Sequence, residues 1–593
     1  MKIRTILRTG LAFGVLGLAS CLSSEPKGTE DEAQPFIDPV ILSQSMCSGK
    51  PATPANVTPN ADTVAAGFDY GAPFVLPDPV LAQFHYAIST ASADAQIWFD
   101  TGLSHMANFN HDEAIAAFRA AQEADPECAM CYWGEGLSFG SNINFPYSPD
   151  RGAAGRVATD AALTQRAGTT DREQALIQAL DARYSVVDGG STIENAEAYA
   201  EAMEHVAQQF PTDKMILSLA AEANMDTQPW DYWQSDARAG KGRTARTLEM
   251  LEAALKLDPN FAPAMHLYIH ITESSIDPYR AEAHADRLAA QSLGVGHLVH
   301  MPSHIYLRLG EWKKSHASNL EAIAADEAYL LAGKNSGFYG ATYYPHNVHF
   351  VIASSQFAGD ASTATQMAEK LANLTELDPN AFNPYAEHVA ASKLFTDLLF
   401  STDEEILAAP APAAGHLYMR TAWHYARGTV FTRQGDLEAA MSEMSNIEAL
   451  SNAPGLSDYS EIYGVPMTGI MDVARLTLEG RILAARNDLT GAIDRLESAA
   501  AAEAQLPYFE PTWWYYPTRQ TLGMFLLTDG QYDRAEREFF KTLIKAPNNA
   551  YALFGLAETY RLKGEAASAA YARTLFDAAW MGEAGATPTL ADL

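Results

Sequence analysis

Near its C-terminus the chain reads LGMFLLTDGQYDRAEREFFKTLIKAPNNAYALFGLAETYRLKGEAASAAYARTLF, and its small residues recur at a fixed interval. Gly530 and Gly564 are 34 residues apart, as are Ala535 and Ala569, and Pro547 closes one unit. Such a period marks a unit that can bury its apolar face only against neighbouring copies of itself, which constrains the chain to a solenoid of stacked helix pairs. Small residues at fixed points let paired helices approach closely, while Gly and Pro punctuate the turns. At 593 residues the chain also exceeds what one hydrophobic core supports. Its 48% hydrophobic content, with long stretches of Ala, Glu, Leu and Arg and few β-branched clusters, leans towards helix.

The unit resembles the tetratricopeptide repeat: a helix A with a bulky residue followed by Leu-Gly, a turn Gly, a helix B starting on a small Ala, and a closing Pro. Residues 95–128 fit the same template, with Trp98, Gly102, Ala114 and Pro126 on the marks. Further units start at Ala262, at Gly296 (counted back from Gly310), near Pro345 (turn Gly359, Ala364), at Thr421 (Gly428, Gly435, Ala440) and at Val473 (Gly480, Ala492). The resemblance covers most of residues 95–580 and implies an all-α fold, a right-handed superhelix of antiparallel helix pairs. It divides the folded part into N-terminal repeats with inserts (76–260), a central group (261–365) and C-terminal repeats (366–593). Inserts rich in aromatics, Asn, Gly and Pro fall at about 141–172, 226–243, 327–344 and 452–466. In solenoids such inserts map to loops on one face. The aromatic segment YFEPTWWYYPTR (508–519) reads first as packing between non-ideal repeats. The stretches HLYIHITE, GHLVHMPSHIYLR, NHDEAIAAF and DPECAMCYWG are similar to those of a broad group of bacterial tetratricopeptide proteins.

The first 21 residues stand apart. Lys2, Arg4 and Arg8 precede an apolar run from Leu11 to Ala19, too short for a comfortable membrane span and patterned as a signal peptide. Leu18-Ala19-Ser20-Cys21 resembles the lipobox of bacterial lipoproteins, which implies lipidation of Cys21 and anchoring by acyl chains. Leu22 rather than Asp follows, and by resemblance to enterobacterial sorting this leans to the outer membrane, with the domain facing the periplasm or the cell surface. An ordinary signal peptide with a chance cysteine is the alternative. Residues 22–75 read as a flexible tether. The net charge of −33 makes the chain a poor binder of nucleic acid or of anionic membrane surfaces. Cys128 and Cys131 form C-x-x-C in an exported protein. They read first as a structural disulfide, second as a redox pair, third as packed thiols.

Histidine is unevenly placed: nine of the sixteen lie between 266 and 349. In tetratricopeptide folds, positions 2, 5, 9 and 12 of a repeat face the concave groove. On that register His266, His270 and Glu273 are groove residues of one unit, His297, His300 and His304 of the next, and His346 and His349 of the third. Residues at i, i+4 and i+7 share a helix face, and neighbouring helices pack roughly 10 Å apart, so these imidazoles can converge on a metal. Glu222 sits at position 9 of the preceding unit and could add a carboxylate. Pro302 interrupts the helix carrying His297, His300 and His304, at a cost of roughly 3 kcal/mol in an ordinary helix, and is expected to kink it or delay its start. His105, His111, His424, His284 and His316 fall off the groove positions and read as core or surface residues.

The leading reading is therefore a groove that binds a transition metal, with copper, zinc and iron all compatible with imidazole donors. Six or seven histidines exceed the needs of one four-coordinate ion, so two ions, or one ion with supporting histidines, would use the surplus. If the centre is catalytic, Glu273 and Glu222 are the acid/base candidates. The alternative is a metal-free scaffold or a groove for a peptide or small molecule.

Overall fold

The computed structural model describes residues 73–590, apart from positions 77, 146–147, 186–192, 292, 333–336, 376, 378–381 and 586. The signal segment, Cys21 and nearly all of the tether lie outside the described residues. Within them the chain is helical, with two isolated bridges (Asn142 with Phe145, Trp233 with Gly240) and no strand. No helix among the described residues is long and apolar enough to cross a membrane.

Helix pairs are wedged together in the same way at both ends of the array. Helices α1 (Ala93–Ala107) and α2 (His111–Ala124) are followed by Ala129–Ser138. Phe118 of α2 fills the space between Gly102 and Gly134, where an added Cβ would lie 2.6 and 2.3 Å from its ring. Phe539 sits likewise between Gly523 and Gly555, with corresponding distances of 2.8 and 2.4 Å. A ring of this size buries well only if the flanking helices carry no side chain there, which is the packing reason for Gly at both places. The turn glycines Gly310, Gly359, Gly435, Gly530 and Gly564 all adopt positive φ, from 68° to 80°. After two of them an aspartate caps the next helix, Asp360 accepting from Thr363 N–H and Asp436 from Ala439 N–H.

The central helices are α3 (Ala262–Glu273), α4 (Gly296–His300), α5 (Pro302–Leu309), α6 (Trp312–Leu331) and α7 (Gly337–Ala358). Three expectations need correction here. The helix expected to start near Pro345 begins at Gly337 and carries Pro345 inside it. Burial of Tyr339, Tyr343 and Tyr344 along its first turns offsets the lost hydrogen bond. The expected inserts at 141–172 and 327–344 are not loops throughout: the first contains the helix Pro149–Gln165, started by a proline at its first turn, and the second is largely taken up by α6 and α7. Pro302 does break the helix, yet His297 and His300 stay on regular helix, because Met301 between α4 and α5 keeps helical angles (φ −49°, ψ −40°). The break therefore removes a backbone hydrogen bond without turning the chain away.

Both ends of the described chain return to this middle. Helix α1 packs on α3, and Ala550–Lys563 packs on α7. Met581 N–H donates to Ala358 O (2.8 Å), Lys313 Nζ to Ala578 O (2.6 Å) and Asn548 Nδ2 to Gly310 O (3.2 Å). The histidines are thus covered rather than lining an open groove: His266, His270, His297, His300 and His304 are at most 5% exposed, and His346 is partly buried.

Candidate metal centre

The spacing of the histidines on α3, α4, α5 and α7 puts their rings against one another. His266 and His270 are one helical turn apart on α3, with ring centroids 4.8 Å apart. His297 of α4 faces them, its Nε2 3.1 Å from His266 Nε2. His300 of α4 and His304 of α5 bring their Nε2 atoms to 2.9 Å, and the His346 ring of α7 packs on both (4.9 and 5.6 Å). Two sets of three imidazoles result, His266/His270/His297 and His300/His304/His346, and the ligand nitrogens of each set lie within 4.8 Å of one another. An ion held at 2.0–2.1 Å by imidazoles in tetrahedral array separates its nitrogens by about 3.3 Å. Only small side-chain adjustments bring these nitrogens onto such a shell.

The far side of each ring fixes which nitrogen carries hydrogen. His300 Nδ1 is 2.6 Å from Asn319 Oδ1, and that amide is oriented by its own Nδ2 donating to Ser315 O (2.7 Å). Asn319 Oδ1 can only accept, so His300 carries its hydrogen on Nδ1 and presents a lone pair at Nε2. His304 Nδ1 lies 2.8 Å from Glu510 Oε2 and 2.9 Å from Glu273 Oε2, which again places hydrogen on Nδ1. When both rings are neutral, two lone pairs meet at 2.9 Å. Only a cation between them, a proton or a metal ion, turns that contact from repulsive to attractive. His270 repeats the pattern: Nδ1 faces Glu273 Oε1 (3.3 Å), and its buried Nε2 lacks a hydrogen-bond partner among the described residues.

Burial, reinforced by neighbouring histidines, holds His266, His270, His297, His300 and His346 well below the ordinary histidine pKa, so their imidazoles are neutral. His304 is the exception. Burial pulls it down, but the carboxylates of Glu273 and Glu510 outweigh that and push it up to about 10. Glu510 is itself raised, by burial first, despite the pull of His304. Ligand rings backed by carboxylates and amide oxygens are the arrangement that orients imidazoles for metals.

Two aromatic residues close the first set. Phe109 packs on His266, His270 and His297 with centroids at 4.4, 5.7 and 5.3 Å, and Trp230 meets His270 edge-on at 5.3 Å. Both hold left-handed backbone (φ 55° and 61°), which bulky residues rarely adopt. Strain of this kind persists where the surrounding structure over-determines it. Phe350 does the same service for the second set, 4.8 Å from each of His300, His304 and His346.

The tetratricopeptide-repeat family model matches residues 81–129 and 521–584, the two stretches that carry the Phe118 and Phe539 wedges. These stretches are similar to tetratricopeptide repeats. No curated protein matches the chain. Among solved structures it is similar to a human IFIT1 dimer with m7Gppp-AAAA (12% identity, 86% of this chain and 96% of the other, TM-score 0.31). It is also similar to yeast Tom70 (10% identity, 80% and 89%, TM-score 0.28). At these TM-scores neither a ligand nor a partner carries over.

Between these two stretches, the structure brings together six of the seven expected histidines and Glu273. His349 points elsewhere: its Nε2 hydrogen-bonds the Tyr515 hydroxyl, and its ring packs on His388 (5.3 Å). It stands three residues beyond His346, about 60° around α7 from it, on the side that meets Tyr515 and His388. Glu222 is also apart. It lines a small cavity of about 10 Å³, room for one water, with His111, Arg183 and Asp226. There burial raises Glu222 to about 7 against the pull of Arg183, and burial, then Arg151 and Arg183, lower His111 to about 3. Cys128 and Cys131 are joined as a disulfide at the start of Ala129–Ser138.

Glu510, Asn319, Phe350 and Phe109 are site residues that the repeat register did not single out. Phe109 did have a signal. It stands five residues before Ala114, where Gly530 stands before Ala535 and Gly359 before Ala364, so a Phe occupies the turn-glycine slot.

Proposed function

We propose that this chain is a tetratricopeptide scaffold whose central repeats bind a transition metal through His266, His270, His297, His300, His304 and His346. The contact that carries this reading is the 2.9 Å approach of His300 Nε2 and His304 Nε2 with both Nδ1 atoms already engaged as donors. Buried polar atoms left without partners cost about 1–3 kcal/mol each. His270 Nε2 and His297 Nδ1 are such atoms among the described residues, and a bound metal would supply a partner that the protein does not. Glu273 contributes by holding the rings, because its two oxygens lie 3.3 Å from His270 Nδ1 and 2.9 Å from His304 Nδ1. A second reading is favoured by the raised pKa of His304: a proton sits between His300 and His304 and the scaffold works without metal.

Elemental analysis of full-length protein purified from metal-replete cells separates the two. A stoichiometric transition metal, lost in His266→Ala combined with His304→Ala while helical content by circular dichroism is retained, is the expected outcome. Metal-free protein after replete growth and after reconstitution leaves the proton-bridged scaffold standing.

The basic start, the apolar run and Leu18-Ala19-Ser20-Cys21 support a membrane-tethered protein, lipidated at Cys21 and facing the periplasm or the cell surface. Mass spectrometry of the mature N-terminus is expected to find acyl chains on Cys21. In Cys21→Ser the protein is expected in the soluble fraction; membrane retention of that variant would argue for a different anchor.

A further inference from the structure

We propose that the two histidine sets are the halves of one dinuclear copper centre whose further ligand is dioxygen. The inference rests on the metal-binding reading above and deepens it by nuclearity, element and ligand.

Proximity comes first. His270 of one set and His304 of the other have ring centroids 5.8 Å apart, and His297 and His300, on the same five-residue helix, 6.0 Å. One carboxylate serves both sets: Glu273 Oε1 faces His270 Nδ1 at 3.3 Å and its Oε2 faces His304 Nδ1 at 2.9 Å. Six imidazole nitrogens exceed the positions of a single four-coordinate ion, whereas three for each of two such ions leave one position open on each.

Charge selects the element. Once His304 gives up its proton to bind metal, all six donors are neutral imidazoles, and among the described residues the carboxylates at hydrogen-bonding distance from them are Glu273 and Glu510. Two divalent ions would leave two positive charges uncompensated among residues that water hardly reaches, at a cost of several kcal/mol per ion. Arg308, which donates to the Glu273 backbone carbonyl, adds to that burden. Two monovalent ions are balanced by the two carboxylates. Among the metals that imidazole suits, copper is the one with an accessible monovalent state.

The surroundings select the ligand. Phe109 packs on the first set and Phe350 on the second, so the rings stand in apolar surroundings that favour a small neutral ligand over a charged one. A pair of Cu(I) ions offers one electron each. Dioxygen accepts both, becoming peroxide bound between two Cu(II) ions; the oxygen–oxygen bond is reduced to a single bond, no proton is taken up, and loss of dioxygen returns both electrons to copper.

The test is anaerobic reconstitution of the full chain with Cu(I), followed by admission of air. Expected are two coppers per chain, uptake of one dioxygen per pair, and an oxidised form silent in electron paramagnetic resonance because its two Cu(II) spins are coupled. His270→Gln and His346→Gln, each confirmed helical by circular dichroism, should each hold one copper that becomes visible in that spectrum on oxidation. One copper per chain in the unaltered protein, two uncoupled coppers, or no uptake of dioxygen overturns the proposal while leaving metal binding intact. Preferential retention of zinc or iron over copper overturns it as well. Absence of every metal overturns the underlying reading instead.

Discussion

Glu273→Ala is expected to weaken metal binding at both histidine sets, by about 10–100-fold for each ligand ring that loses its carboxylate. Glu273 is fully buried and its two oxygens reach His270 Nδ1 and His304 Nδ1, one ring from each set. Removing it frees both rings to turn and takes away one of the two negative charges beside the cluster. Glu510 still holds His304 at 2.8 Å, so the loss should be larger at the set containing His270, which has no other carboxylate on its Nδ1 among the described residues. Glu273→Gln separates the two contributions: it keeps an acceptor oxygen but no charge, and should fall between alanine and the unaltered protein. Competition against a chelator of known affinity measures this. Glu443→Ala is the control, because Glu443 pairs with His424 at 2.6 Å in the C-terminal repeats, in the same chemistry but away from the cluster. Equal losses in Glu273→Ala and Glu443→Ala, or none in the former, would remove Glu273 from the centre.

The contrast between Glu273 and Glu510 shows what a repeat register can and cannot reveal. His266, His270, His297, His300, His304 and Glu273 were legible because each sits on a periodic position of consecutive units, and helix geometry then fixes their common face. Glu510 reaches His304 across 206 residues, inside an aromatic segment whose composition reads equally well as packing. No local pattern encodes that meeting, since it depends on how the C-terminal repeats fold back. The same limit applied to α7. The repeat register, set by the turn at Gly359 and by Ala364, puts a unit start near Pro345, but the buried tyrosines before it extend the helix back to Gly337. His349 was assigned to the cluster from that start, and it faces Tyr515 instead. Phe109 is the opposite case, since its place in a glycine slot was visible as an anomaly; what the anomaly served required the fold.

Gly310→Ala is expected to destabilise the fold by roughly 2–5 kcal/mol, combining an alanine at positive φ with an overpacked contact. Gly310 ends α5 at φ 68°, and a Cβ there would stand 1.9 Å from the backbone oxygen of Pro547. A side chain could swing aside; a backbone carbonyl in a turn between two packed helices cannot. Asn548 Nδ2 donates to Gly310 O in the same place, so the substitution strikes the joint through which the C-terminal repeats rest on the central ones. Gly435→Ala is the internal control, with nearly the same backbone (φ 78°) but no atom within 4 Å of the added Cβ, and should cost about 1 kcal/mol. Urea unfolding of the two variants measures the difference, and limited proteolysis should cut Gly310→Ala near residues 546–549 before the unaltered protein. Because Glu510 and Tyr515 arrive with the C-terminal part, loosening this joint should also weaken metal binding at the set containing His304, more than at the set closed by Phe109. If Gly310→Ala proves no more costly than Gly435→Ala, the C-terminal repeats do not bear on α5, and the covered state of the histidines needs another cause.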